Sequence, residues 1–196
     1  MRHTRIIVTH YGGPDALQVL EEECPEPKGG EVRVRVLAAG VSLPDLMARE
    51  GIHPETPRVP FTPGWDLVGV VDRLGDSVAG IRPGQAVAAL PISGAYAEFV
   101  CLPQRELVPV PSGLDAAEAV SLVLNYVTAY QMLHRSVKVR PGQRVLIHGA
   151  AGGSVRRYCS LDGSPSWRCT VPVHREGRRL FPTWALSQLI INIRTS

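Results

Sequence analysis

The chain has 196 residues, 44% hydrophobic and 20% charged, with 19 Gly and 17 Pro, which suits one or two globular domains built from short segments and many turns. Its net charge of +3 is uneven: residues 154–196 hold seven Arg, no Lys and only two acidic residues, so the remainder is slightly acidic and the bulk charge gives no reason to expect a nucleic-acid partner. The opening MRHTRIIVTHYGG lacks a signal-peptide core, no apolar run is long enough to span a membrane, and Cys24, Cys101, Cys159 and Cys169 form no C-x-x-C pair, so the chain reads as cytoplasmic with reduced thiols.

Residues 5–112 are expected to be β-rich. Glu31 to Val36 (EVRVRV) alternates with period two, the pattern of a half-buried strand. Further short apolar runs lie at 66–74 (DLVGVVDRL), 85–90 and 95–102. Turns rich in Gly and Pro separate them, at Pro27-Lys28-Gly29-Gly30, Gly75-Asp76, Arg82-Pro83-Gly84 and Pro109-Val110-Pro111. Many short strands with such punctuation predict a small barrel or sandwich.

The period changes at Asp115, a good N-cap with Glu118 three residues on. Ala119, Leu122, Val123, Tyr126, Tyr130 and Leu133 then fall on one apolar helical face, so a helix is expected to about His134. Arg140-Pro141-Gly142 stops it. A short apolar strand, Val145-Leu146-Ile147, follows and runs into Gly149-Ala150-Ala151-Gly152-Gly153. Glycines placed there let a backbone approach a diphosphate closely. The helix that should follow such a loop is missing from the pattern: Pro165, Pro172 and Pro182 interrupt the next stretch. Without a crossover unit, the 145–147 strand is expected to stay unpaired and exposed.

The strings HYGGPDALQV, AAGVSLPDLMAREG, PFTPGWDLVGVV, GDSVAGIRPGQAV, GAYAEFV, NYVTAYQML and VRPGQRVLIHGAAGG run through residues 1–153. Together they resemble the zinc-independent quinone oxidoreductase branch of the medium-chain dehydrogenase/reductase superfamily. The resemblance implies a GroES-like β-barrel on the substrate side (1–114), then the opening of a truncated α/β Rossmann domain (115–153), with 154–196 an irregular and poorly ordered tail. It implies hydride transfer from NADPH to a small-molecule quinone or enone, without zinc. Zinc-dependent relatives place a Cys and a His where this chain has Ser42 and Trp65, neither of them an ordinary zinc ligand, so no metal is expected.

Catalytic candidates are Ser42, Asp45 and Thr128. By residue type, Ser42 donates to a substrate carbonyl, contacts the nicotinamide ribose, or bonds its own turn. Asp45 orients that site, or N-caps the segment Leu46–Glu50. The resemblance puts Thr128 on the nicotinamide side and assigns Gly149, Ala150, Ala151, Gly152 and Gly153 to the cofactor diphosphate. Tyr126, Tyr130 and Trp65 are expected to serve core packing. Relatives are often dimers, but through the portion that is altered here, so a dimer is not expected for this chain, nor a nucleic-acid or membrane partner.

The tail resembles nothing in that branch. Among the codons allowed for residues 153–160 there is a choice that spells V-G-T-A-L-L-Q in a shifted frame, and among those for 187–192 one that spells S-I-D-Y-Q, phrases that the branch carries after its glycine loop and at its next strand. The alternative to an active reductase is therefore a non-catalytic remnant, altered in frame near Gly152-Gly153, that binds no cofactor.

Overall fold

A computed structural model of the chain describes residues 1–140, 143–147, 168–170 and 191–194. Two compact units are present, Met1–Leu124 and Asn125–Ser196.

The first unit is built on β1 (Arg2–Val8), β2 (Leu17–Glu23), β3 (Glu31–Ala39), β4 (Leu67–Leu74), β5 (Ala86–Ala89), β6 (Phe99–Pro103) and β7 (Val108–Pro109), with helix α1 (Leu43–Glu50) between β3 and β4. Five strands form an antiparallel sheet in the order β6-β3-β4-β5-β7. The β1-β2 hairpin pairs from Arg2↔Glu23 to Val8↔Leu17. It is stitched to the rest by Ile6 N–H to Tyr96 O (2.8 Å), Val8 N–H to Phe61 O (2.8 Å) and Glu98 N–H to Thr4 O (2.9 Å). This is the expected GroES-like arrangement of short strands around one core.

Val32, Val34, Leu67, Val71, Val87, Ala89, Ala95, Leu102 and Leu107 make that core. Alternation along β3 fails at one position. Arg33 is buried, not solvent-facing, because its guanidinium meets Asp72 (2.6 Å), Glu26 (3.1 Å) and the Pro25 carbonyl (3.1 Å). Asp72 lies far along the chain and Pro25 and Glu26 lie outside the strand, so period two alone does not foresee them.

Helix α2 (Ala116–Tyr130) starts where the sequence says it should: the Asp115 carboxylate accepts the N–H of Ala117 (2.8 Å) and of Glu118 (3.2 Å). Ala116, Ala119, Val120 and Val123 pack on Val68, Ala38, Ala88 and Val110, an i, i+3, i+4, i+7 stripe. The unit boundary falls inside this helix, after Leu124.

In the second unit α2 ends in a wider turn, Gln131–Ser136. Ala129 and Leu133 are buried, but Tyr130 is 52% exposed and its ring lies on His134 (4.5 Å). Packing of Tyr130 in the core, as the helical face implied, is thus not what forms; Leu122, in the first unit, is also exposed. The buried stripe rotates toward the small residues, which let neighbours approach more closely than a tyrosine ring does. Strand β8 (Arg144–Ile147) is not left unpaired. Two short strands from the segment expected to be irregular flank it: β9 (Arg168–Thr170) in parallel and β10 (Ile191–Arg194) antiparallel. Val145, expected to be exposed, is 1% exposed, because β-pairing from a distant segment covers it. The apolar run 186–193 is compatible with a strand, but its pairing with β8 is set by tertiary contact, not by local pattern.

Leu67 lies fully buried in the central strand β4. Leu67→Ala should destabilise the chain by about 3 kcal/mol in urea unfolding, from lost burial plus the cavity left behind; Val19→Ala, at a 71% exposed site, should change it by less than about 0.5 kcal/mol. On the hairpin, burial raises the Glu22 carboxyl, but the hydrogen bond and charge of Arg5, with His3 behind them, hold it below its ordinary 4.5. A depressed carboxylate stabilises above that value and loses its contribution as pH falls through the folded one. Glu22→Gln should therefore flatten the loss of stability between about pH 6 and pH 3; an acid limb as steep as the wild type's would remove Glu22 from the account.

Candidate functional site

The site grows from the turn after β3. Gly40-Val41-Ser42 leads into α1, and Ser42 is the N-cap of that helix, with Pro44 in its first turn. Asp45 sits at the third helical position and closes a capping box with Ser42. Its Oδ2 accepts both the Ser42 N–H (2.8 Å) and the Ser42 hydroxyl (2.6 Å). Its Oδ1 accepts the N–H of Gly64 (2.9 Å), which belongs to the turn before β4. Asp45 is therefore not the N-cap of a helix at Leu46–Glu50. The helix begins three residues earlier, because Ser42 supplies the cap and Pro44 fits the first turn.

A second carboxylate lies beside it. Asp66 accepts the N–H of Gly40 on Oδ1 (3.1 Å) and the N–H of Leu124, in α2, on Oδ2 (3.1 Å). Asp45 and Asp66 are 4% and 3% exposed. Neither enters an ion pair among the described residues; backbone N–H groups carry the compensation. Burial raises the Asp66 carboxyl above its usual range, against the pull of the Leu124 and Gly40 N–H groups, and the charge of Asp45 adds to the rise.

Tyr96 completes the cluster. Its hydroxyl donates to the Gly40 carbonyl (3.2 Å) and lies beside Asp45. Burial, then the charges of Asp45 and Asp66, push its ionisation well above the ordinary phenol range, so it stays a neutral donor. Two glycines are required for steric reasons. A Cβ on Gly40 would sit 2.3 Å from Asp66 Oδ1, and one on Gly64, at φ +107°, would sit 2.7 Å from Ala95 Cβ and from the Tyr96 ring.

A loop braces the turn from Thr62 to Trp65. Ile92 N–H donates to Trp65 O (3.2 Å), Ser93 Oγ to Thr62 O (2.7 Å), Gly94 N–H to Thr62 O (2.9 Å) and Ala95 N–H to Gly64 O (3.2 Å). Ile92 holds φ +70°, a strained state for a β-branched residue, costing about 1–3 kcal/mol. Trp65 is half-buried and meets His53 edge to face (5.4 Å between centroids).

Of the residues singled out in the sequence, the structure brings Ser42 and Asp45 into direct contact. Thr128 lies on α2 in the second unit, and Gly149 to Gly153 fall outside the described residues. Asp66 and Tyr96 were missed as site residues. Their signals were present in the strings PGWD and GAYAEFV, but nothing local says that these strings meet.

The Ser42 hydroxyl proton is committed to Asp45, so its lone pairs are what remain for a ligand. That suits acceptance from a hydroxyl better than donation to a carbonyl. Among the described residues no group of three or more His, Cys, Asp or Glu side chains can hold a metal ion, and no helix is long and apolar enough to cross a membrane.

Residues 28–112 match the alcohol dehydrogenase GroES-like domain. The chain is 34% identical over 158 residues to rat quinone oxidoreductase, covering 80% of this chain and 48% of that protein. It is 37% identical over 158 residues to the human synaptic vesicle membrane protein VAT-1 homolog-like, covering 79% of this chain and 38% of that one. The crystal structure of that human protein superposes with a TM-score of 0.84 at 34% identity, over 89% of this chain and 57% of the other. Over the matched residues the chain is related to the quinone oxidoreductase branch of the medium-chain dehydrogenase/reductase superfamily. A mycobacterial structure complexed with NADPH is also similar, with a TM-score of 0.77 at 30% identity over 86% of this chain and 52% of that one. The chain spans less than half the length of the curated relatives it matches.

The two members of the capping box should differ in weight. Ser42→Ala removes a cap and should cost about 1 kcal/mol. Asp45→Ala strands the buried Gly64 N–H as well and should cost about 3 kcal/mol. Urea unfolding of the two variants measures this; equal losses would mean that the Gly64 bond carries no weight.

Proposed function

We propose that this chain carries the substrate-side domain (1–114) and the opening of the cofactor domain (115–153) of a cytoplasmic, zinc-independent, NADPH-dependent oxidoreductase that acts on quinones or activated C=C bonds. The observation that carries the proposal is the closed Ser42–Asp45–Gly64 hydrogen-bond set, which satisfies the buried Asp45 carboxylate with protein N–H and O–H donors and not with a cation. Quinone oxidoreductase relatives and the NADPH-complexed mycobacterial relative support the choice of substrate and cofactor.

Reduced nicotinamide, when bound, supplies the hydride. The residues of this chain supply position and polarity. Asp45 fixes the Ser42 hydroxyl so that its lone pairs accept a ribose hydroxyl. Tyr96, kept neutral, holds the Gly40 carbonyl and with it the turn. Thr128 contacts the nicotinamide side from α2. The backbone of Gly149, Ala150, Ala151, Gly152 and Gly153 serves the diphosphate, and the strand that must precede such a loop is in place as β8.

A specific observation favours a second reading, the non-catalytic remnant. In a dinucleotide-binding sheet the strand before the glycine loop has parallel neighbours on both sides. Here β10 pairs with β8 antiparallel. On that reading the frame alteration near Gly152-Gly153 has replaced the partner strands, and no cofactor is held.

Titration with NADPH separates the two. At about 100 times the dissociation constant, binding adds roughly 2.7 kcal/mol, a rise of about 5–10 °C in melting temperature for a chain of this size. A flat melting curve at millimolar NADPH selects the remnant.

A further inference from the structure

We propose that Asp66 is a positioning residue that fixes the Ser42 turn against helix α2 by accepting the N–H groups of Gly40 and Leu124. The proposal rests on the reading of Ser42 as a cofactor contact, and extends it to a residue that touches neither cofactor nor substrate.

The two contacts are 3.1 Å each and use different oxygens of one carboxylate. Gly40 lies two residues before Ser42, so its N–H reports the setting of the turn. Leu124 lies in the middle of α2, where an amide proton normally belongs to the carbonyl four residues back. A carboxylate that competes for such a proton is tied to one place on the helix. Helix ends, whose N–H groups are open to any acceptor, offer no such precision. The approach also requires glycine at 40, where a Cβ would meet Asp66 Oδ1 at 2.3 Å.

Burial to 3% exposure makes the identity of the side chain strict. An asparagine at 66 has a single acceptor oxygen and must turn its NH2 toward one of the two N–H donors. An apolar residue removes the side-chain acceptor of both, leaving the Gly40 N–H only the backbone carbonyl of residue 66 at 3.3 Å. The charged and titratable groups that face Asp66 are Asp45 from α1 and Tyr96 from the segment before β6. Both are acidic, so no nearby cation among the described residues substitutes for the two N–H bonds.

The test has one arm that needs no turnover. In the full, 15N-labelled chain, acidification should move the Gly40 and Leu124 amide resonances together, with one shared midpoint. Asp66→Asn should abolish that shift and speed solvent exchange of the Ser42 amide about tenfold. Separate midpoints, or an unchanged Ser42 amide in the variant, overturn the proposal. Should Asp66→Asn fail to fold, the shared midpoint in the wild-type chain still decides, and Asp66→Glu, which keeps both acceptor oxygens, should restore part of the Ser42 protection. The second arm measures NADPH oxidation with 1,4-naphthoquinone. Asp66→Asn should lower kcat about tenfold while KM for the quinone stays within about twofold; an equal kcat overturns the proposal. A wild-type chain without any NADPH oxidation refutes the reading under Proposed function alone, and the amide measurements then judge Asp66 on their own.

Discussion

Two carboxylates buried side by side, compensated chiefly by backbone N–H groups and not by cations, hold the turns around α1 together. Burying one carboxylate without partners would cost several kcal/mol. Asp45 and Asp66 are kept by five donor bonds, four of them from backbone amides. Backbone donors cannot swing away as lysines do. The cost of desolvation is thus turned into geometry: each carboxylate joins segments far apart in sequence, Asp45 the α1 entry to the Gly64 turn, Asp66 the Gly40 turn to α2. The raised Asp66 carboxyl is the trace of that cost, since the N–H bonds offset desolvation without cancelling it.

The same arrangement satisfies both carboxylates with N–H and O–H donors and with no cation among the described residues. A bound cation would neutralise acidic groups and polarise a carbonyl directly. Asp45 is instead satisfied inside its own helix cap and by the Gly64 N–H, and the Ser42 hydroxyl is held in one orientation. Polarisation then depends on placement, so residues that only set placement gain importance. Tyr96 and Asp66 are of that kind, and the strained Ile92 loop braces the same turn through Trp65 and Gly64.

Local pattern was enough to read the β3 alternation, the Asp115 cap and the glycine turns, because each is decided within a few residues. The capping box at Ser42 was equally local, yet Asp45 was placed at the cap and not three residues inside the helix. The serine before Leu-Pro was the stronger cap, since a proline in the first turn fixes where the helix begins. What stayed illegible was non-local. Burial of Arg33 needs Asp72 and Glu26; the roles of Asp66 and Tyr96 need β4, α2 and the loop before β6 to converge. Periodicity marks a face as apolar but does not say which part of it finds a neighbour, which is why Leu133 is buried and Tyr130 is not.

Strand β8 shows the limit most clearly, and it bears on function. Its sequence, Val145-Leu146-Ile147 before a glycine cluster, asks for neighbours on both sides, and neighbours are found: Arg144 to Leu146 beside Arg168 to Thr170, Arg144 to Ile147 beside Ile191 to Arg194. Pairing satisfies the backbone of β8, and Val145 is buried. Satisfying the strand is nevertheless a weaker requirement than building a nucleotide site. Any strand of suitable length closes the ladder, in either direction, whereas diphosphate capture needs parallel neighbours and a helix whose N-terminus faces the loop. One neighbour of β8 runs parallel and the other does not. The sheet around β8 therefore meets the demands of strand pairing while meeting only half of the directional demand of a dinucleotide sheet, and the barrel, with its carboxylate-held turns, meets all of its own.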